Sequence, residues 1–197
     1  MATNNAVNVG LSGSTGTGNF VGATSPTLVT PILGAATATS LAFSPTTGGI
    51  IGTTAADSPT AGDVGEVLSA ILLVGSAVSL TELTAANITS ISLTAGDWDV
   101  WGEIWFNATG TTSTSSVAGA INTSSATFPT VPAVGTSVAC IAYATATEAS
   151  ASVQQTLPIA PCQINISGTT TIYLNARAGF ITSTMSAYGK IMARRRR

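Results

Sequence analysis

The sequence predicts an all-β protein, and three observations carry that prediction. Short runs rich in Val, Ile, Thr and Tyr are separated by Gly, Pro, Ser and Asn, which is typical of strands joined by turns. No stretch long enough for a helix repeats apolar side chains at helical spacing. Charged residues make up only 7% of the 197 residues, against roughly 25% in an ordinary globular domain. A surface this poor in charge indicates a subunit that buries part of it against other chains.

The first region, residues 1–62, consists mainly of Gly, Thr, Ala, Ser and Asn, and its first 56 residues contain no charged side chain. Its β-like runs are 27–33 and 38–43. Such composition is also typical of a flexible linker. Apolar residues such as Phe20 and Leu41 are more frequent than a linker needs. We therefore predict an extended N-terminal arm that becomes ordered by packing on other subunits.

The second region, residues 63–197, is predicted to form an antiparallel β-sandwich. Its strands are short and the turn signals between them are regular, as in a sandwich or jelly roll. The apolar run 67–80 is predicted to be buried strand, because a bilayer span needs about 20 apolar residues. The predicted strands are 66–80, 88–94, 98–107, 117–121, 137–145, 151–157, 163–166, 171–180 and 184–193.

Strand 98–107 is the clearest, because its side chains alternate between two kinds. One face is apolar and is predicted to lie in the core. The other mixes acids with indoles, which suits a subunit interface better than open solvent or a dry interior. The core face comprises Trp98, Val100, Gly102, Ile104 and Phe106, and the interface face comprises Asp99, Trp101, Glu103, Trp105 and Asn107.

Strand 171–180 repeats this alternation and carries Arg177, the only basic residue before Lys190. A buried cation without a partner costs several kcal/mol. We therefore hypothesise that Arg177 pairs with an acid of the set Asp97, Asp99 and Glu103, in its own subunit or a neighbouring one. The predicted inward residues are Ile172, Leu174, Ala176 and Ala178, and the outward ones are Thr171, Tyr173, Asn175 and Arg177. The interface candidates are Trp101, Glu103, Trp105, Tyr173 and Arg177.

Most catalytic chemistry is excluded because the chain contains no histidine, the commonest general base and metal ligand. Cys140 and Cys162 lack the paired spacing of a zinc site. They are predicted to be small buried hydrophobes, with a disulfide between neighbouring strands as the alternative. Asp97, Asp99 and Glu103 also fit a catalytic carboxylate pair or a calcium site. Three acids on one face are more typical of a solvated or interface strand, so we predict no enzyme, metal or cofactor.

The two ends of the chain carry weak signals. The start has neither a basic stretch nor an apolar core, so we expect no secretory signal and synthesis in a host cytoplasm. Segment 10–22 is glycine-rich but lacks the Gly-Lys-Ser/Thr ending of a phosphate loop. Five of the six cations lie in the last eight residues. We predict that they form a solvated tail, or contact a partner's acids, rather than bind nucleic acid.

Three segments resemble structural proteins of tailed-bacteriophage virions, of the tail-fibre, collar or head-fibre type. They are SGSTGTGNFVGATSPTLVTPILGAATATSLAFS (12–44), WDVWGEIWF (98–106) and YLNARAGFITSTMSAYGKIMARRR (173–196). The resemblance implies a jelly-roll or tumour-necrosis-factor-like domain, commonly a homotrimer, on an N-terminal anchoring arm. It brings no catalytic motif. Because no shaft repeat separates arm and domain, a short fibre, collar or capsid-decoration protein fits the length best.

The function predicted from these observations is that of a non-enzymatic virion component. Its expected partners are further copies in a homotrimer and other virion proteins of the capsid, portal, collar or tail, without membrane insertion. The alternative is an adhesin that binds a host-surface glycan through Trp101 and Trp105. A third hypothesis, a polysaccharide depolymerase using Asp99 and Glu103, is testable by digestion, and we expect no product.

Overall fold

The computed structural model describes residues 59–129 and 154–197 and the backbone of residues 140–144. Residues 1–58 of the predicted arm lie outside the described residues, and with them its runs 27–33 and 38–43 and segment 10–22. Apart from a 3-10 turn at Val74–Ser76, the regular structure of the described part is entirely β. The strands are β1 (Val67–Leu72), β2 (Val78–Ser79), β3 (Ala86–Leu93), β4 (Gly96–Ala108), β5 (Ser113–Asn122), β6 (Cys140–Ala144), β7 (Gln154–Ile166), β8 (Thr170–Ile181) and β9 (Met185–Arg195).

The strands form two antiparallel sheets, which confirms the predicted β-sandwich. A five-stranded sheet has the order β1-β9-β4-β7, with the short β2 also paired to β9. A four-stranded sheet has the order β3-β8-β5-β6. Leaving β2 aside, this is the order of a jelly roll, in which eight strands wind through two Greek keys across two sheets.

The core lies between the sheets, and its largest members come from the central strands β4, β8 and β9. Trp98, Ile104 and Leu174 are completely buried, as the alternation of strands 98–107 and 171–180 predicts. Glycine lets the sheets approach closely at β5. A Cβ on Gly119 would lie 2.7 Å from Ile104 Cδ1, a carbon of the opposite sheet. Burial of each large apolar side chain contributes about 1.5–3 kcal/mol to stability.

The prediction for 66–80 is wrong in two respects. The segment is divided into β1, the 3-10 turn and β2 rather than forming one strand. It is also not buried as a whole, since only alternate residues of β1, such as Leu68 and Leu72, pack against the core. The reason is position, because β1 lies at the edge of the five-stranded sheet and presents its other side chains outward.

The strands predicted at 151–157 and 163–166 are joined in one 13-residue strand, β7. Pro158 and Pro161 lie inside it, although prolines predict a break in a central strand. They are tolerated because β7 is at the edge of its sheet, where one side of the backbone needs no ladder partner. The pairing with β4 also shifts between Val100 and Gly102, opposite the second proline.

Candidate functional site

The outer face of the five-stranded sheet carries most of the predicted interface residues. β4 and β9 are adjacent at its centre and pair antiparallel in unbroken register. Acids and indoles project from β4, whereas cations, a tyrosine and a methionine project from β9. We call this surface the aromatic–charged face. It consists of four cross-strand pairs: Asp99–Arg194, Trp101–Met192, Glu103–Lys190 and Trp105–Tyr188.

Contacts across the two strands hold the centre of this face. The rings of Trp105 and Tyr188 stack with centroids 5.8 Å apart and planes 9° apart. Lys190 Nζ lies 3.3 Å from Glu103 Oε2 and 5.7 Å from the centroid of Trp105. Their exposure keeps this ion pair weak, about 0–1 kcal/mol. The contacts therefore orient the side chains more than they stabilise the domain.

A second group of ion pairs lies where β4 begins. Arg196 Nε is 3.7 Å from Asp99 Oδ2. The buried carboxylate of Asp97 accepts hydrogen bonds from Arg197 Nε and Asn165 Nδ2. These acids are thus paired with cations rather than with one another. Among the described residues, no three His, Cys, Asp or Glu side chains are placed to hold a metal ion.

The arginine-rich end of the chain begins within β9, which corrects the prediction of a solvated tail for Arg195. Arg194, Arg196 and Arg197 are exposed, and their contact with a partner's acids stays a prediction. Arg195 is buried, and its Nε donates to Glu66 Oε2 at 2.8 Å. Its guanidinium lies 4.3 Å over the ring of Trp98 and also donates to the Ala95 carbonyl. The guanidinium of Arg195 therefore connects β9 to the segments before β1 and β4.

The carboxylate of Glu66 is held in its ionised form by this arrangement. The backbone N–H of Gly62 donates to Glu66 Oε2 at 2.8 Å, and Arg195 donates to the same oxygen. Both hydrogen bonds lower the pKa of Glu66 below its usual value, and the bond from Gly62 has the larger effect.

Tyr173 and Arg177 lie apart from the other interface candidates, on β8 in the four-stranded sheet. The guanidinium of Arg177 lies 4.8 Å from the ring centroid of Phe128. Within the chain, the hypothesis of an ion pair with an acid of β4 is therefore wrong. A contact across subunits stays a prediction.

Asn175 is the main residue that the sequence analysis misplaced. The alternation of strand 171–180 predicts that its side chain points outward, but the residue is completely buried. Its amide donates to the carbonyls of Ser124 and Thr127, both at 3.0 Å, and its Oδ1 accepts from the Ala126 N–H at 2.9 Å. The turn after β5 thus covers part of the outer face of the four-stranded sheet. An asparagine in an otherwise alternating strand was the only sequence signal.

A third surface consists of aliphatic side chains along β1 and its flanks. In the described part of the chain, β1 is the last strand of its sheet, so one of its backbone edges faces outward. This surface does not follow from the prediction of a wholly buried strand at 66–80. We call it the apolar edge, and its members are Val64 (70% exposed), Val67 (45%), Ile71 (63%), Leu73 (70%) and Val74 (54%).

The two cysteines belong to different sheets. Cys162 lies in β7, and its Sγ donates to the Val100 carbonyl at 3.4 Å. Cys140 begins β6, where only the backbone is described. A disulfide between them stays a prediction. None of the described residues forms a helix long and apolar enough to cross a membrane.

Comparisons with known proteins give structural similarities only. No protein-family model matches the chain, and a search of curated proteins gives no match. The chain is similar to one in a structure of the infectious bursal disease virus Gx strain, with 15% identity, a TM-score of 0.36 and coverage of 80% of this chain and 37% of that one. It is also similar to chains of the VP2 subviral particle (14% identity, TM-score 0.34, 66% and 30% covered) and of the T13 particle of that virus (14%, 0.35, 66% and 31%).

The chain spans about a third of the length of these solved chains. TM-scores this low carry no argument, so the fold assignment depends on the strand order itself. The resemblance to tailed-phage proteins is not confirmed by these comparisons.

Proposed function

We propose that this chain is a non-enzymatic structural protein of a tailed-phage virion: a short fibre, collar or capsid-decoration component. The apolar edge is the observation that carries the proposal. Five large aliphatic side chains lie exposed on and beside an edge strand in a chain with only 14 charged residues. In a monomer these side chains stay in contact with water. In an assembly, burying them contributes an association free energy of about 25 cal/mol per Å2 of apolar area.

The apolar edge suits a homotrimer of jelly-roll domains. A three-fold contact joins two different patches of neighbouring subunits, so one edge strand serves as one half of it. The outward backbone edge of β1 adds hydrogen-bonding groups that side chains of a neighbour satisfy. Residues 1–62, in which Asp57 is the only charged side chain, anchor the trimer in the particle, where other virion proteins replace water around them.

Two measurements test this proposal. Mass spectrometry of particles purified from the source culture should find the chain at stoichiometric abundance, and its absence from particles would overturn the virion role. Chemical cross-linking of the purified full chain should give trimers. A chain that stays uncross-linked at high concentration would overturn the trimer.

A matched pair of variants ties the trimer to the apolar edge. Ile71→Asp places a charge at a 63%-exposed apolar position and should abolish cross-linked trimers. Ser69→Asp, two residues earlier on the same exposed face of β1, adds the same charge where no apolar contact is lost. Equal loss of trimer in both variants would show that the charge, and not the apolar contact, is responsible.

The alternative function is a glycan-binding adhesin, favoured by the two indoles that share one outer face. Against it, the ring of Trp105 is already contacted by Tyr188 and Lys190. A glycan array with the full chain decides between them. Reproducible binding that Trp101→Ala abolishes would support the adhesin and displace the assembly role of this face.

A further inference from the structure

We infer that the aromatic–charged face binds the same face of a second copy, about a two-fold axis that runs parallel to the strands between β4 and β9. It rests on the proposed assembly function and adds a second contact to it. The outward side chains of β1 border this face, with Val67 opposite Arg194 and Ile71 opposite Lys190, and they stay with the trimer contact. Charge and aromatic side chains are divided between the two central strands.

In the register of β4 and β9, the acids of this face lie on β4 and the cations lie on β9. Glu103 on β4 lies opposite Lys190 on β9, and Asp99 lies opposite Arg194 two residues further along each strand. The acids of this face therefore form a column on β4 and the cations form a parallel column on β9. A face divided in this way is its own electrostatic complement once the two columns are exchanged.

A two-fold axis parallel to the strands makes that exchange. It lays β4 of one copy over β9 of the other without shifting either along its length. Glu103 then faces the partner's Lys190, and Asp99 faces the partner's Arg194. The apolar rows match as well, since Trp101 meets the partner's Met192, a favourable pairing of sulfur with an aromatic ring.

The other in-plane axis, perpendicular to the strands, is excluded by the same register. It would lay β4 over the partner's β4 and place acids against acids, with cations against cations over β9. Like charges brought together at an interface cost several kcal/mol. The charge columns thus favour a two-fold axis along the strands over one across them.

The part of this face that β9, β4 and β7 form has the size of a small interface. Three strands about 4.8 Å apart and ten residues rising about 3.3 Å each give a rectangle of roughly 14 by 33 Å. This is below the roughly 800 Å2 per partner of a standard interface, so we expect a weak association. The two half-buried indoles flank the Glu103–Lys190 pair at the centre, and the pair of Asp99 and Arg194 lies at one end.

Charge reversal in the full chain tests the arrangement, with sedimentation velocity as the measurement. Glu103→Lys alone and Lys190→Glu alone each place like charges across the two-fold axis. We expect each to weaken the two-fold association by at least about tenfold. Glu82→Lys, an exposed reversal in the turn before β3 and remote from this face, is the control and should associate as the wild type does.

Mixing the two variants is the decisive step. A chain with Glu103→Lys has only cations at these two positions, and a chain with Lys190→Glu has only acids. Paired together, every position across the axis is again complementary, although each chain on its own keeps its like charges. We expect an equimolar mixture to restore association to within a few-fold of the wild type.

The outcomes are separable from those of the proposed trimer. The proposal is overturned if either single variant self-associates like the wild type, or if the mixture fails to associate while both variants show native circular dichroism. Cross-linked trimers of the wild type without any charge-sensitive association would leave the trimer standing and refute the two-fold contact. A chain that does not associate at all would refute both.

Discussion

The two outer faces of the sandwich are completed in different ways. On the four-stranded sheet, the turn after β5 covers the centre of the face, and the buried amide of Asn175 holds it with three hydrogen bonds. On the five-stranded sheet, indoles and charges stay half-exposed and contact only their neighbours across β4 and β9. A face covered by its own chain contributes to folding, whereas a face left half-covered is suited to association.

The largest effect is expected at the covered face. Asn175→Ala removes three hydrogen bonds and takes the side-chain partner from the Ala126 N–H and the Ser124 carbonyl, while the Thr127 carbonyl keeps a hydrogen bond from Asn122 Nδ2. We expect the free energy of unfolding to fall by about 2–4 kcal/mol, with association unchanged. Urea denaturation measures it.

Gln163→Ala is the control for that variant, since Gln163 is an exposed amide residue of β7. It should cost no more than about 1 kcal/mol. Equal losses in the two variants would mean that the covering turn contributes little to folding.

The converse effect is expected at the half-covered face. Trp101→Ala removes a half-buried indole at its centre, so the free energy of association should fall by about 2 kcal/mol, the size of an interface hot spot. Sedimentation velocity measures it. The unfolding free energy should change less than in Asn175→Ala, and the reverse order would contradict the assignment of the two faces.

The buried ion pair beside the half-covered face predicts a pH dependence. Because Gly62 and Arg195 lower the pKa of Glu66, the unfolded chain binds a proton more readily than the folded one. The stabilisation is therefore complete above the ordinary pKa near 4.5 and is lost as the pH falls through the lower folded value.

Thermal unfolding of Glu66→Gln from neutral to acid pH measures this contribution. The variant should be less stable than the wild type at neutral pH, and the difference should shrink as the pH falls. Glu82→Gln, in an exposed turn, should follow the wild type throughout. If the unfolding temperature of Glu66→Gln depended on pH as steeply as that of the wild type, the role of this carboxylate would be refuted.

The smallest effect concerns the short loop between β8 and β9, which connects the two sheets. Thr182 has φ of +84°, a conformation that a β-branched residue rarely adopts. Thr182→Gly should raise the free energy of unfolding by about 0.5–1 kcal/mol, because glycine adopts this conformation without the steric cost.

Thr111→Gly, in the exposed turn before β5, is its control and should destabilise slightly, since Thr111 is not among the described residues with positive φ. Denaturant midpoints measure both. Destabilisation of equal size in the two variants would show that Thr182 stores no strain.

Local alternation predicted much of this structure. The side chains of β4 divide as expected, with Trp98 and Ile104 inside and Trp101 outside, because a strand in a two-layer protein has one face for each environment. A local pattern does not predict whether a strand lies at the centre or at the edge of its sheet. The exposure of Ile71 and the tolerance of Pro158 both follow from edge strands, and strand order is not encoded in a local run.

The candidate site shows the same limit. The indoles of β4 were identified from their own strand, but their cross-strand partners on β9 lie more than 80 residues away. Arg195 looks like part of a solvated tail until β9 places it beside Glu66, 129 residues earlier. Asn175 looked like an outward polar residue because the turn that covers it begins about 50 residues upstream.

The central claim is that this charge-poor jelly roll completes its surface with other copies of itself. Sedimentation equilibrium of the full wild-type chain over a wide concentration range tests it most directly. The account predicts a mass that is a multiple of the 19.5 kDa of one chain and that decreases on dilution. A mass of one chain at every concentration, with native circular dichroism, would contradict it.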